Sequence, residues 1–369
     1  MGKESLTIKT ITCHDVYNAG ASLQAYALSN YLRSLGHQVE IIDYKPDYLK
    51  HYELWGVRNP RYNRPIFREI YNLLKLPKRI KNRFSRRKKA FDDFTKKYLC
   101  VTKNRYRTNQ EMKNGRISAD VFFAGSDQIW NTLFQNGKDP AFYLEFAPES
   151  AICASYAASF ATDDVAEEWK EKVAAWIKKL DFVSVREKSG LGILNNLGRK
   201  DACQVVDPVF LLSRDTWEAL LDNKKENEDY LLIYDFDNNQ ELNEKAVDIA
   251  KKNGWKIYAI FPNSTSDKCF YNDGPLEFVN LVKNAKFVLS NSFHATAFSI
   301  IFERQFAVFE RKEKINTRMR DLLKSLDISM NEEGIDYSKV NVLLNDQISF
   351  SQKYIETVLD AARKESYDT

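Results

Sequence analysis

The sequence predicts an α/β protein built from two open, Rossmann-like units with a cleft between them, and three observations carry this. Apolar, strand-like runs alternate with helical patterns along most of the chain, as expected for parallel sheets covered by helices. The alternation lapses in a polar, charged stretch at 223–229 and then resumes. The 369 residues also exceed what one hydrophobic core usually covers. We therefore expect one unit over residues 1–220 and a second over 221–369.

The opening βαβ unit is the clearest. Residues 6–11 read as a strand, 13–22 as a loop and 23–35 as a helix, in which Leu28, Tyr31, Leu32 and Leu35 share one face. Gly36 stops the helix, and 39–42 form the next strand, ending at Asp43. A basic helical insertion is expected near 58–98. There Lys78, Arg79, Lys81, Arg83, Arg86, Arg87, Lys88 and Lys89 alternate with Phe67, Tyr71, Leu74, Ile80, Phe84 and Phe91. It reads first as a solvated helical face with its apolar stripe on the core, and second as a surface for an anionic membrane or a lipid-linked acceptor.

Strands follow at 121–124, 151–158, 182–185 and 204–206, with an amphipathic helix over 165–180. In the second unit, strands are expected at 230–234, 255–261, 287–289 and 306–309. Helices are expected at 241–252, 276–284 and 295–302, and a terminal helix at 351–364.

Composition narrows the function. The formal charge of +4 gives no reason to expect a nucleic-acid partner. The five cysteines are scattered without a CxxC pair, which argues against a disulfide framework or structural zinc and suits a reducing compartment. No His/Asp/Glu cluster has metal-ligand spacing. Without a signal-like or membrane-spanning apolar run, a cytoplasmic protein is expected, at the inner face of the membrane if the basic segment meets lipid.

Four polar segments follow predicted strands, where open α/β sheets bind ligands. The first contains His14, Asp15, Asn18, Gly20 and Ser22; Gly20 would let a ligand approach the backbone or take a positive φ, and Ser22 could simply cap the helix. It is not a GxGxxG loop, which argues against a dinucleotide oxidoreductase. The second contains Gly125, Ser126, Asp127, Gln128 and Trp130; Asp127 suits acid–base work, and Trp130 suits either a sugar face or the core. In the third, the fork of Arg186 suits a carboxylate or phosphate, and Asp207 could position it. The fourth, Ser290-Asn291-Ser292-Phe293-His294, gathers hydroxyls, an amide and an imidazole at a helix start.

Taken in order, these segments resemble the polysaccharide pyruvyl transferases. The matching pieces are Thr12 to Asn18, Gly20 to Leu28, Gly125 to Asn131, Ser155 to Phe160, Ser184 to Glu187, Asp207 to Leu212 and Asn291 to Thr296, a resemblance spanning Ile8 to about Leu326. It implies facing Rossmann-like halves like those of GT-B glycosyltransferases. It implies phosphoenolpyruvate as donor, a sugar or lipid-linked oligosaccharide as acceptor, and a pyruvate ketal as product, with no further cofactor. Arg186 matches the family's donor-holding arginine and His294 the histidine of its second-half motif. Some members carry an arginine two residues before that histidine, where this chain has Ser292, so Arg311, Arg318 or Arg320 would have to supply a further cation.

The expected site is thus His294, Asp127 and Asp15 for proton transfer, with Arg186, Arg318, Asn18, Gly20, Ser126, Trp130, Asn291 and Ser292 binding substrate. Two rivals share this architecture: a nucleotide-sugar glycosyltransferase, and a non-catalytic sugar-binding protein of polysaccharide assembly.

Overall fold

The computed structural model describes residues 5–49, 71, 74–77, 80, 84–222, 228–313, 315–330 and 334–368. β1 (Thr7–Ile11) leads into helix α1 (Ala19–Ser34) and back to β2 (Gln38–Tyr44); helix α2 (Arg86–Tyr98) then precedes β3 (Val101–Tyr106). With β4 (Val121–Ala124) and β5 (Ile152–Ser155) these strands form an all-parallel sheet in the order β3-β2-β1-β4-β5. β6 (Ser184–Val185) and β7 (Cys203–Gln204) pair in parallel and extend it through the Ala154–Phe182 and Ala158–Val185 bridges.

The second sheet contains β8 (Tyr230–Tyr234), β9 (Lys256–Ala259), β10 (Lys268–Cys269), β11 (Phe287–Ser290) and β12 (Gln305–Val308). It is also parallel, in the order β10-β9-β8-β11-β12. Both sheets therefore repeat one strand order, with the reversal between β1 and β4 and again between β8 and β11. The crevice beyond the carboxyl ends at such a reversal is where these sheets bind ligands.

Local chemistry explains the elements. Every residue of β4 and β8 is buried, so these strands read as continuous apolar runs instead of alternating ones. α1 is buried without a break from Ala19 to Ser29, so its small residues and leucines lie against neighbours on every side. This helix begins before the expected residue 23, because Asn18 and not Ser22 is its cap, accepting from the Ala21 N–H at 3.3 Å. β3 was not expected. Its Val-Thr-Lys-Asn-Arg-Tyr sequence is polar because it forms the sheet edge, where charges discourage pairing with another chain.

Helices α3 (Gln240–Asn253), α4 (Pro275–Asn284) and α5 (Phe293–Ile301) cover the second sheet; α6 (Thr317–Ser325) and α7 (Tyr337–Asp368) follow. The last starts well before the expected residue 351. Its first turns bury only Val340 and Leu344 and half-bury Tyr337, Asn341, Gln347 and Ile348, an apolar stripe too narrow to stand out in the sequence. α7 then returns to the first sheet: the Tyr354 hydroxyl donates to the Ser155 carbonyl at 2.8 Å, and Ser351 Oγ accepts from the Val206 N–H at 2.9 Å. Among the described residues no helix is long and apolar enough to cross a membrane.

Of the basic stretch at 58–98, residues 58–70, 72, 73, 78, 79 and 81–83 lie outside the described residues, Phe67, Lys78, Arg79, Lys81 and Arg83 among them. In α2, Arg86 pairs with Asp273 at 2.8 Å and Lys88 with Asp92. Arg87 donates to the carbonyls of Tyr271 (2.6 Å) and Tyr17 (2.8 Å). Arg86 and Arg87 thus reach into the second half.

Replacing Tyr354 with Phe removes one hydrogen bond but leaves the Ser155 carbonyl its bond from the Ser184 hydroxyl. We expect a loss of about 1 kcal/mol, read from urea unfolding. A loss near zero would mean that α7 is not anchored there.

Candidate functional site

The first half presents a tight turn after β4. At Gly125 the backbone takes φ 133°, and a Cβ there would sit 2.0 Å from the Tyr156 carbonyl oxygen, so only glycine fits. The Gly125–Ser126 peptide is cis. The Ser126 N–H donates to Gln24 Oε1 (3.0 Å) and its hydroxyl to the Ala157 carbonyl (2.7 Å), while its own carbonyl accepts from the Thr12 hydroxyl (2.9 Å). Asp127 follows at φ 71°, a left-handed conformation that Asp tolerates better than most residues. The turn delivers its carboxylate into the crevice with 19% of the side chain exposed.

Arg186 leaves β6 almost fully buried. Its Nη1 lies 2.5 Å from Asp207 Oδ2, its Nη2 3.6 Å from Asp127 Oδ1 and its Nε 3.9 Å from Glu187 Oε2. Its guanidinium carbon stands 4.4 Å from the centre of the Phe293 ring, a cation–π contact with the second half. Nε and Nη2 make no hydrogen bond in the protein, nor does His294 Nε2, which stands 3.6 Å from Asp207 Oδ2. Orphaned buried donors are costly and call for a partner.

Two of the three carboxyls beside Arg186 are tuned in opposite senses. Burial pushes Glu187 up, with Arg186 opposing; its Oε1 accepts from the Ser159 hydroxyl and the Phe160 and Ala161 N–H groups at 2.8–3.0 Å. Burial works against ionised Asp207 as well, but His294 and Arg186 outweigh it and hold that carboxyl well below the usual range.

From the second half, Ser292 caps α5 by accepting from the Ala295 N–H at 3.4 Å. The His294 ring presses on α1 of the first half: a Cβ on Gly20 would fall 2.0 Å from His294 Nδ1. Arg318, on α6, places Nη1 3.4 Å from Asp127 Oδ1. Gln128, with its amide oxygen turned towards Arg318, accepts from both Nη atoms at 2.9 and 2.8 Å. Burial and the neighbouring Arg186 charge push the Arg318 guanidinium down to about 10. Of the three candidate second cations, Arg318 joins Arg186. Arg311 pairs with Asp237 (3.5 Å) and Glu313 (3.0 Å), and Arg320 lies 4.0 Å from Glu310.

The structure thus gathers Asp127, Arg186, His294 and Arg318 and sends other expected site residues elsewhere. Trp130 is fully buried, stacked on Tyr143 with centroids 5.4 Å apart and donating to the Phe142 carbonyl; it belongs to the core and offers no face to a sugar. Ser126 is buried, and its hydroxyl is spent on the turn. Asn291 uses both ends of its amide to tie the β8 and β11 loops, donating to Asp235 Oδ1 (2.5 Å) and accepting from the Phe236 N–H (3.0 Å). Asn18 is a cap, and Gly20 lies inside the helix, approached by His294 instead of a ligand. Asp15 pairs with Lys45 at 2.6 Å, in a second cluster where Lys45, His14 and Arg105 surround Asp43. Glu187, Gln128 and Phe293 were not expected to take part. All three lie inside the sequence motifs themselves, but no role was expected of them there, because most of their contacts arise only when distant segments meet.

A Gly20→Ala substitution forces the His294 ring to move, and we expect it to cost about 1–3 kcal/mol by thermal unfolding. The cost should fall in a His294→Ala background, and an unchanged cost there would refute the contact. The lowered Asp207 carboxyl contributes its stability above its unfolded value of about 4 and loses it as pH falls through the folded value. The stability gap between the wild type and Asp207→Asn should therefore hold steady from about pH 7 to 5 and shrink towards about pH 2. A gap that widens on acidification would contradict this.

Among curated proteins, no match was found. Among solved structures, the chain is similar to a putative UDP-N-acetylglucosamine 2-epimerase from Listeria monocytogenes (7% identity, 96% of this chain and 91% of that one, TM-score 0.49). It is also similar to UDP-GlcNAc 2-epimerase from Methanocaldococcus jannaschii (11% identity, 93% and 92%, TM-score 0.48). A third similarity is to an alpha-glucosyltransferase in complex with UDP-glucose and DNA (9% identity, 99% and 94%, TM-score 0.43). The sequence model of one family, described as polysaccharide pyruvyl transferase, matches residues 18–313. That span holds the Gly20, Asp127, Arg186, Asp207 and His294 segments together, and the chain belongs to this family of transferases.

Proposed function

We propose that the protein transfers a pyruvyl group from phosphoenolpyruvate to two hydroxyls of one sugar, in a surface polysaccharide or its lipid-linked precursor. One observation carries this reading: a single carboxylate oxygen, Asp127 Oδ1, spans Arg186 Nη2 (3.6 Å) and Arg318 Nη1 (3.4 Å). Two guanidiniums that share a carboxylate of the protein can share one from a substrate, and Arg186 Nε, which makes no hydrogen bond in the protein, is a further donor for it.

In the reaction a proton adds to donor C3 while a sugar hydroxyl oxygen bonds to C2. The C2–O bond to phosphate then breaks, and a second hydroxyl closes the ketal. Of the two hydroxyl protons, one balances the proton gained at C3 and the other leaves with phosphate. In this scheme Asp127, displaced from the arginines by the donor and protonated from solvent, supplies the proton to C3, Arg186 and Arg318 hold the anion, and His294 takes the hydroxyl proton through Nε2, the ring nitrogen that does not pack on Gly20.

The test is titration calorimetry with phosphoenolpyruvate, followed by assay of phosphate released with an oligosaccharide acceptor. Arg318 is the informative position, because removing Arg186 would strand buried Asp207 and endanger folding. Losing one charged hydrogen-bond partner costs about 1.5–3 kcal/mol, so Arg318→Ala should weaken donor binding about 10- to 100-fold. Arg318→Lys should recover only part, since it keeps the charge without the fork. Donor binding indifferent to Arg318, or binding of a nucleoside diphosphate in place of the donor, would overturn the proposal.

A further inference from the structure

Outside the Arg186 cluster, three strands of the second sheet each place an aromatic residue two positions beyond their carboxyl end: Phe236 after β8, Phe261 after β9 and Tyr271 after β10. The rings form a continuous row, with centroids 5.1 Å apart from Phe236 to Phe261 and 5.9 Å from Phe261 to Tyr271. Phe236 is 36% and Tyr271 38% exposed, and Phe261 is half-buried. Scattered exposed apolar residues are ordinary, but a contiguous row on the ligand-binding edge of a parallel sheet is a surface in search of a partner.

The ends of the row are polar. The Arg311 guanidinium carbon lies 4.6 Å from the centre of the Phe236 ring, and that of Arg87, from the first half, 4.5 Å from that of Tyr271. Arg311 Nε is buried without a hydrogen-bond partner. The Phe236 N–H donates to Asn291, three residues before His294, so the row and the Arg186 cluster share one rim.

We propose that this row is the acceptor subsite, seating the C–H faces of successive pyranose units of an oligosaccharide. A pyranose pairs an apolar face with a rim of hydroxyls; flat rings suit the first, and Arg311 with neighbouring Asp237 suits the second. A neutral saccharide fits better than a nucleoside diphosphate. The cations here are largely compensated: Arg87 by the Tyr271 and Tyr17 carbonyls, and Arg311 through Nη2 by Asp237 and Glu313, which leaves its Nε for a hydroxyl. As an acceptor site this rests on the pyruvyl-transfer reading; as a saccharide site it can be tested without turnover.

The experiment is saturation-transfer-difference NMR on the full chain, with methyl glycosides of gluco-, galacto- and manno-configured disaccharides, and with UDP. Phosphoenolpyruvate binding is measured on the same samples. We expect a disaccharide to bind the wild type and to bind about tenfold more weakly in Phe236→Ala and Tyr271→Ala. Phe236→Leu, which keeps apolar volume without the flat ring, should lose part of the binding. Phe350→Ala, an exposed ring on α7, should lose none. No disaccharide bound by the wild type, binding untouched by the ring variants, or UDP lost in their place would each overturn the proposal. Failure of phosphoenolpyruvate to bind while the disaccharide result holds would instead sink the donor assignment alone.

Discussion

The structure around the crevice depends on one buried charge, the guanidinium of Arg186. It draws together Asp127 from the β4 turn, Asp207 from beyond β7 and its own neighbour Glu187, and it lies against Phe293 from the other half. Burying such an ion alone would be prohibitive; its carboxylates and hydrogen bonds make the burial tolerable. The dependence is mutual, since Asp207 also stands under His294: removing Arg186 takes away the shortest contact of Asp207, and removing Asp207 takes away that of Arg186. This coupling, more than the stability of any one ion pair, ties the two sheets to a common geometry.

The charge balance of the cluster bears on how it can bind an anion. Asp127, Glu187 and Asp207 face Arg186, Arg318 and an imidazole, so the protein's own groups nearly compensate one another. An incoming anion must take the place of one of them. Asp207 is locked between Arg186 and His294, and Glu187 is held through three donors on one oxygen. Asp127 is the most exposed of the three; it accepts one long hydrogen bond, from Arg318, and only faces Arg186 Nη2 at 3.6 Å. It is therefore the carboxylate with least to lose, and displacing it would bring Arg186 and Arg318 to bear on a ligand. The lowered Arg318 points the same way, since two crowded cations favour an additional negative charge.

Much of this was legible in the sequence, and what was not has physical causes. Strands such as β4 and β8 announced themselves because burial on both faces leaves only apolar residues. Edge strand β3 and the first turns of α7 stayed hidden because they bury little. The arginine–carboxylate cluster was half legible: Arg186, Asp127 and His294 follow strands, where ligand-binding groups collect. Trp130 was placed among them because a tryptophan after a strand looks the same whether it stacks on a sugar or on Tyr143. Gly20 was recognised as a site of close approach, but sequence order could not reveal that the approaching group is an imidazole from nearly three hundred residues away.

That approach has a consequence for the crevice. The halves touch at Gly20 and His294 beside the Arg186 cluster, and again where Arg87 clasps the Tyr271 and Tyr17 carbonyls at the end of the aromatic row. Both contacts join the first half to carboxyl-end loops or helix starts of the second. The rim that carries the cationic cluster and the exposed rings is thus in contact with the first half beside each of them. The proposed reaction, with a charged donor and a largely neutral sugar, would need such different surfaces at a fixed separation, because positioning the reacting atoms supplies much of the rate in a group transfer. Two parallel sheets of one strand order, facing across their reversal points, provide both surfaces without either sheet departing from its own regular topology.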